Sequence, residues 1–326
     1  MIEKHHNIAK LPSHISSYQH EDFKALARLF ENAFSIPLSE DLWLWKMDNL
    51  EGSGSILWND ETAIAFYGGI PRKLFYQGCL INGLQMRDVM VDPKWRGLLR
   101  KKGAFWQVAT HYLYANIGQN KDFSVGFGFP NDKAAKLGQK LELYESTDQV
   151  LELTWKQRPA LSLFIKYIYS VSLTDLPSTQ LVDELWNQMH QSLKNYVVAV
   201  RNSEYVNLRY INHPIHNYQF FVIKNLLARP VGLIIANLNN NNNSAEIVDI
   251  IASTKNVNLT MSLFLNYLFD KKFDLVTAWF SPLIVSFIDF QPTSQQHIAH
   301  IQIGPPDTKV VQKAEWWATA GDTDFR

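Results

Sequence analysis

The sequence predicts an α/β protein built from two domains of similar layout. Three observations indicate this fold class. The chain has 326 residues, which is enough for two domains with buried cores. Apolar residues make up 46% of it and charged residues 19%, as is typical of globular and not of disordered chains. The third observation is an order of helix and strand patterns that occurs once in each half of the chain.

The first half begins this order with a large-apolar segment, residues 42–50, that has Lys46 near its middle. The patterns that follow are a strand with glycine at 63–69, a longer strand at 86–91, a helix at 104–115 and a strand at 123–130 that ends in proline.

The second half repeats the order, from an apolar segment at 205–214 that contains Arg209. Its later patterns are strands at 230–236 and 245–251, a helix at 259–269 and a strand at 273–282 that ends in proline. Order and spacing agree better than the residues do, so we interpret the halves as a duplication; generic α/β patterning is the alternative. We predict domains at 1–155 and 181–326, joined by a connector at 156–180.

Residues 89–105 contain the motif that is most informative about function. An apolar run ends at Asp92-Pro93, a basic loop with glycine follows, and a helix pattern begins at Ala104. Backbone N–H groups and the positive end of a helix dipole at such a loop bind anions, and glycine lets a phosphate approach the backbone. An ordinary connection with solvated charges is the alternative. The matching loop of the second half, 253–258, has no glycine and one cation, so we predict no phosphate there.

Composition excludes several classes of protein. Lysine plus arginine and aspartate plus glutamate both number 31, and this balance argues against a dedicated nucleic-acid binder. The single cysteine, Cys79, excludes an internal disulfide framework, and the ten histidines form no recognised metal spacing, so we predict no metal. The N-terminus has no apolar signal core, and the apolar stretch at 161–171 is too short to span a bilayer. We therefore expect a soluble, cytoplasmic protein that binds neither nucleic acid nor membrane.

The strand, the Pro-x-Trp-Arg-Gly loop and the helix resemble the acyl-CoA pyrophosphate loop of the GNAT acyltransferase superfamily. Residues 128–141, with an asparagine between strand and helix, look like the next GNAT motif. Residues 43–46 and the tail 316–324 are similar to a subgroup with two tandem GNAT-like domains. The resemblance implies that each domain has a central mixed, mostly antiparallel sheet flanked by helices. It implies that the first domain binds acyl-CoA and that the second is degenerate.

The resemblance also implies acetyl-CoA or another acyl-CoA as cofactor. The strand before the loop would splay from the strand after the helix and offer backbone groups to the pantetheine arm, and the loop would hold the pyrophosphate. The implied cofactor-binding residues are Val89, Met90, Val91, Arg96, Gly97, Arg100, Lys101, Lys102, Gly103, Ala104 and Asn131. Asn131 is alternatively a simple helix cap. The usual loop pattern, Arg/Gln-x-x-Gly-x-Gly/Ala, is broken at 96–99, and 100–105 meets all of it but the last position.

Acyl transfer to an amine needs a base, a donor for the oxyanion and an acid. Backbone N–H groups near Met90 are the expected oxyanion donors. Asp88 is our first candidate base, because it lies two residues from Met90 on one strand face and burial raises a carboxyl pKa. Pairing with Arg87 or another cation is the alternative role for Asp88. Asp322, or its neighbour Asp324 in the polar tail, is the second candidate.

The candidate acid departs from the family pattern. Many GNAT enzymes have a tyrosine seven residues after the asparagine, where this chain has Gly138. Tyr144 is near that position but out of register, and we name it as the candidate acid.

We predict an N-acyltransferase that moves an acyl group, with acetyl expected, from CoA to an amine of a small molecule or peptide by direct attack. One alternative is an acyl-CoA-binding module without turnover. Another is transfer from an acyl carrier protein, because both donors carry a phosphopantetheine arm.

Overall fold

The computed structural model describes residues 13–96, 103–308 and 311–323. It shows an α/β fold with a large mixed sheet flanked by helices, which confirms the predicted fold class. The chain divides into two compact units. Unit 1 contains Met1–Ile70 and Met86–Asn116, and unit 2 contains Pro71–Gln85 and Ile117–Arg326. The domain boundaries at 155 and 181 stay a prediction.

In the residues that the structure describes, unit 1 consists of three α-helices and an antiparallel group of strands. Its elements are β1 (Ser13–Ser17), α1 (Phe23–Phe34), α2 (Glu40–Leu44), β2 (Ser53–Asn59), the first part of β3 (Thr62–Tyr76), the last part of β4 (Cys79–Val91), and α3 (Ala104–Asn116). The strand order is β1-β2-β3-β4, and β2 pairs antiparallel with both β1 and β3. A π-helical turn, Trp45–Asn49, continues α2.

The core of unit 1 forms where the apolar sides of α1 and α2 meet the strands. Leu26 of α1, Trp43 of α2 and Phe66 of β3 are fully buried in one cluster together with Met90 of β4. The indole N–H of Trp43 donates to the hydroxyl of Tyr18 over 3.0 Å, so burying this large ring leaves no polar atom unsatisfied.

Unit 2 holds the rest of the sheet. Its elements are β5 (Val125–Gly128), α4 (Asp132–Lys140), β6 (Glu145–Trp155), α5 (Leu163–Ile168), β7 (Tyr169–Thr174), α6 (Thr179–Ser192), β8 (Val197–Ala199), α7 (Ser203–Val206), β9 (Gln219–Asn225), β10 (Pro230–Asn239), β11 (Ser244–Ile251), α8 (Thr254–Asp270), β12 (Leu275–Phe280), α9 (Pro282–Ser286), β13 (Ser294–Gly304) and β14 (Trp316–Trp317). The strand order from β4 is β5-β13-β6-β12-β11-β10-β9-β7. The predicted connector contains α5 and β7, and β7 pairs with β9. Within the described ranges, no helix is long and apolar enough to cross a membrane.

The predicted repetition of elements is present in the fold. The first half runs α2, β2, β3, β4, α3, β5, and the second runs α7, β9, β10, β11, α8, β12. A π-helical turn follows α2 at Trp45–Asn49 and follows α7 at Asn207–Ile211. Each turn carries a buried cation, Lys46 in the first and Arg209 in the second. These are the two cations that the sequence pattern places in corresponding positions of the two halves.

Candidate functional site

The candidate cofactor site is formed in unit 1 by the end of β4 and the start of α3. Asp92 closes β4, and its carboxylate accepts from the backbone N–H of Lys94 (2.9 Å) and from the side-chain amide of Asn32 (2.9 Å). A single 3₁₀ turn, Pro93–Trp95, follows. Gly103 is buried, and α3 begins at the next residue. The predicted order of strand, turn and helix is therefore present.

Arg96 fixes the chain where it leaves β4. Its Nε donates to the backbone oxygen of Val91 (2.8 Å), and its Nη2 donates to that of Ala33 (2.9 Å). These two bonds hold Arg96 against α1 and the end of β4, and a role of Arg96 towards pyrophosphate stays a prediction. Four other predicted contacts, Gly97, Arg100, Lys101 and Lys102, lie outside the described residues.

The strand that precedes the loop has one buried side and one partly exposed side. Met90 is 1% exposed and packs in the core of unit 1, whereas Val89 and Val91 are partly exposed. In the described residues the parallel ladder of β4 with β5 covers positions 83–85 and 125–127, and β4 runs on to Val91. The predicted pantetheine contacts thus follow the end of this ladder.

Asp88 lies in β4 with a left-handed backbone, φ 51°. This conformation is uncommon for residues other than glycine, although aspartate tolerates it better than most. Its carboxylate contacts Lys46 Nζ at 2.7 Å and Arg87 Nε at 3.2 Å, and the side chains of all three residues are at most 5% exposed. Asp88 is therefore the buried anion between two buried cations.

The pKa of Asp88 is shifted in the direction opposite to the one that we expected. Burial alone raises the pKa of this carboxyl, but the charges of Lys46 and Arg87 outweigh burial and hold the pKa below its ordinary value. The expected rise was therefore wrong, because the sequence did not show that Lys46 reaches Asp88. The alternative role, pairing with cations, is present. A catalytic role for Asp88 stays a prediction.

Tyr144 lies in unit 2, with its ring between two glycines. A Cβ atom added at Gly138 would collide with one edge of the ring, and a Cβ added at Gly304 would lie 2.8 Å from the other edge. Burial raises the pKa of the hydroxyl well above its ordinary value, so it is protonated at neutral pH. The ring thus passes over position 138, where the GNAT pattern has its tyrosine.

Replacing Gly138 by alanine tests this packing. The collision with the Tyr144 ring is expected to cost about 1–3 kcal/mol, and the better helix propensity of alanine returns up to about 1 kcal/mol. We expect a net loss of unfolding free energy, measured by urea denaturation. In a Tyr144→Ala background the same Gly138→Ala change should stabilise the protein, because only the propensity gain is left. Destabilisation of equal size in both backgrounds would contradict the observed contact.

Asp322 is also in unit 2, and it is 3% exposed rather than part of a solvated terminus. It closes a 3₁₀ turn, Ala320–Asp322, and accepts from the backbone N–H of Thr319 at 2.9 Å. Arg72 Nη2 contacts one carboxylate oxygen at 3.1 Å, and Arg201 contacts the other. Asp324 lies outside the described residues. Asp322 is therefore held by two arginines, and its role as a base stays a prediction.

Arg201, which contacts Asp322, also pairs with Asp249, and sequence reasoning missed this second ion pair. Both side chains are 0% exposed, and Arg201 Nε lies 3.0 Å and 3.2 Å from the two carboxylate oxygens. The hydroxyl of Tyr210 donates to Asp249 at 2.7 Å, and that of Thr319 at 3.0 Å. The sequence feature that could have indicated this pair is Asp249, a carboxylate inside the apolar pattern at 245–251. A carboxylate inside an apolar run is also what singled out Asp88.

Asn131 caps α4. Its side-chain oxygen accepts from the backbone N–H groups of Lys133 and Ala134, both at 3.1 Å. This bond pattern is that of an ordinary N-cap. A contact of Asn131 with pantetheine stays a prediction.

This protein has the fold of the GCN5-related N-acetyltransferases, as the sequence resemblance implied. The sequence itself matches no protein-family model and no curated protein.

Three solved structures represent the similarity. A conserved protein of unknown function from Enterococcus faecalis, named a probable N-acyltransferase, has a TM-score of 0.70 at 11% identity, over 92% of this chain and 74% of that one. A GCN5-related N-acetyltransferase from Kribbella flavida has a TM-score of 0.67 at 12% identity, over 92% and 74%. The N-myristoyltransferase of Saccharomyces cerevisiae with bound myristoyl-CoA has a TM-score of 0.53 at 9% identity, over 90% and 82%. At these identities the similarity defines the fold.

Proposed function

We propose that this protein is an N-acyltransferase that binds an acyl-CoA, with acetyl-CoA expected, at the β4–α3 motif of unit 1. The observation that carries the proposal is this motif, with Gly103 directly before a 13-residue helix, in a chain with the GNAT fold. The solved structures named as acyltransferases support the reaction class, and the myristoyl-CoA complex supports a CoA thioester as donor.

The start of α3 suits a diphosphate. The first N–H groups of a helix have no partner within the helix, and its dipole places partial positive charge there. Gly103 has no side chain to block the approach, and its backbone oxygen accepts from Gln107 N–H at 3.0 Å, which starts the helical bonding at this residue. The cations at 100–102 would add charge from the loop.

Transfer itself would be a direct attack of the neutral amine on the thioester carbonyl. The C–N bond forms and the C–S bond breaks; the amine proton goes to the base, and the CoA thiolate accepts a proton. Asp88 remains the proposed base and Tyr144 the proposed acid. The low pKa of Asp88 makes it a weak proton acceptor while Lys46 and Arg87 contact it.

Removing the loop cations tests the cofactor site. We expect Lys101→Ala/Lys102→Ala to raise the dissociation constant of acetyl-CoA by at least about 10-fold, because the loss of even one charge-assisted bond is worth about 1.5–3 kcal/mol. Isothermal titration calorimetry measures this constant. The matched control is Lys121→Ala, an exposed lysine in a turn of unit 2. An unchanged constant in the loop variant, or an equal loss in the control, would contradict the assignment.

Two observations favour a second candidate function, an acyl-CoA-binding module without turnover. The carboxylate of Asp88 is paired with Lys46, and glycine occupies position 138, where the GNAT pattern has its tyrosine. A thiol-release assay on acetyl-CoA with a panel of amines separates the two. Amine-dependent release supports the enzyme, and tight binding without release on any amine supports the module. The other alternative is an acyl carrier protein as donor in place of CoA. A competition assay between acetyl-CoA and an acylated carrier protein distinguishes these two donors.

A further inference from the structure

We propose that Asp132, His297 and His300 form a binding site for a divalent transition-metal ion, with Zn²⁺ as the representative ion. Asp132 is the first residue of α4, and the histidines lie on β13, so all three belong to unit 2. Their ligand atoms, one from each residue, all lie within 4.8 Å of one another.

The distances suit coordination. The Oδ1 atom of Asp132 lies 2.9 Å from His300 Nε2 and 3.4 Å from His297 Nδ1. Zinc bonds of about 2.0–2.1 Å in a tetrahedron put neighbouring ligand atoms about 3.3 Å apart. The two observed separations lie on either side of this value. The third separation, between the nitrogens of His297 and His300, is at most 4.8 Å, so side-chain rotations would let a metal ion bind all three atoms.

A β-bulge brings the two histidines together. Residues three apart on a regular strand point to opposite faces of the sheet. In β13 the register against β6 shifts after His297: His297 pairs with Leu151, and Ala299 pairs with the next residue, Val150. The extra residue, Ile298, returns His300 to the side of His297, and the two imidazole rings lie 4.5 Å apart. Bulges of this kind redirect side chains beside functional sites.

Two hydrogen bonds to backbone oxygens hold β13 and α4 together. The backbone N–H of His300 donates to the oxygen of Pro130 at 3.0 Å, just before α4. Two residues further along β13, the side-chain amide of Gln302 donates to the backbone oxygen of Ala135, inside α4, at 3.1 Å. The ligands therefore lie on elements that are fixed to each other, which is what a precise metal site requires.

The chemistry of the three donors selects the ion. Two imidazoles and one carboxylate suit zinc, nickel, copper and iron, and they do not suit magnesium or calcium, which take oxygen ligands. The side chains are accessible, with His297 and His300 29% and 30% exposed and Asp132 62% exposed. Three protein ligands leave a coordination position open to water, which distinguishes this site from a closed structural zinc site.

Calorimetric titration of the chelator-treated full chain with ZnCl₂ tests the proposal. The variants are His297→Gln, His300→Gln and Asp132→Asn. The matched control is His213→Gln, a histidine whose ring centroid lies 4.8 Å from that of His216 in a loop of the same unit. Any zinc bound by other histidines, such as the adjacent His5 and His6, would be common to the wild type and the variants, so the site is identified by the difference between them.

We expect each histidine variant to bind one zinc ion fewer than the wild type, or to bind that ion at least about 100-fold more weakly, because even outer-shell changes cost 10–100-fold. Zinc should also raise the melting temperature of the wild type and of His213→Gln more than that of the variants. Circular dichroism without zinc confirms that the variants fold. Equal stoichiometry and affinity in the wild type and all three variants would overturn the proposal, as would a wild type that binds no zinc.

Discussion

Replacing Asp249 by alanine is expected to lower the free energy of unfolding by about 3–5 kcal/mol. The change removes the carboxylate that faces Arg201, and it leaves a guanidinium with 0% exposure short of one of its two anions. It also removes the acceptor of the Tyr210 hydroxyl. A buried charge that loses one partner cannot replace that interaction with water, so the penalty is large. Urea denaturation followed by circular dichroism measures the loss.

The matched control is Asp270→Ala. Asp270 pairs with Arg158 at 2.5 Å, but both side chains are about half exposed, at 56% and 48%. Water and salt screen such a pair, so its loss should cost less than about 1 kcal/mol. Similar losses for the two variants would show that burial of the Arg201–Asp249 pair does not govern its energy.

Replacing Asp88 by asparagine is expected to cost about 3 kcal/mol, the lower end of the range for breaking a buried pair. Asparagine keeps an oxygen that accepts from Lys46 and tolerates the left-handed backbone at this position, but it removes the charge between Lys46 and Arg87. The control is Asp48→Asn, because Asp48 is an exposed carboxylate on the π-helical turn that carries Lys46.

The pH dependence of stability gives this prediction an independent readout. The folded pKa of Asp88 is below its ordinary value of 3.8, so its contribution is fully present above that pH and is lost as the pH falls through the folded pKa. The difference in unfolding free energy between wild type and Asp88→Asn should therefore be constant from neutral pH down to about 4 and narrow below it. A difference that widens below pH 4 would contradict the ion pair.

Local sequence patterns predicted the elements that recur in the two halves of the chain. Strand β4, the turn after Asp92 and helix α3 appear where the apolar run, the proline and the periodic pattern placed them. The order of elements in the two halves was also predicted, because apolar periodicity follows from which side of an element is buried. The π-helical turns after α2 and α7 were not predicted. Such a turn has different backbone hydrogen bonds from an α-helix, but its apolar residues show no spacing of their own that the sequence would reveal.

The candidate site was predicted only where its residues are neighbours in the chain. The loop around Gly103 is one continuous motif, so its position before α3 could be read directly. The partners of Asp88 and Asp322 could not be read from the sequence in this way. Lys46 is 42 positions from Asp88, and Arg72 is 250 positions from Asp322. Which cation reaches a buried carboxylate depends on strand pairing and packing, and that pairing reversed the expected direction of the Asp88 pKa shift.

The sequence by itself determined the α/β class, the order of elements and the glycine loop at the start of a helix, because all three depend on local periodicity and backbone preference. Only the tertiary structure decided which distant charges meet. It buried Arg201 with Asp249 and brought Asp132 to the two histidines of β13. The physical reason is that side-chain contacts between elements depend on register: a single inserted residue, Ile298, decides which face of the sheet His300 occupies.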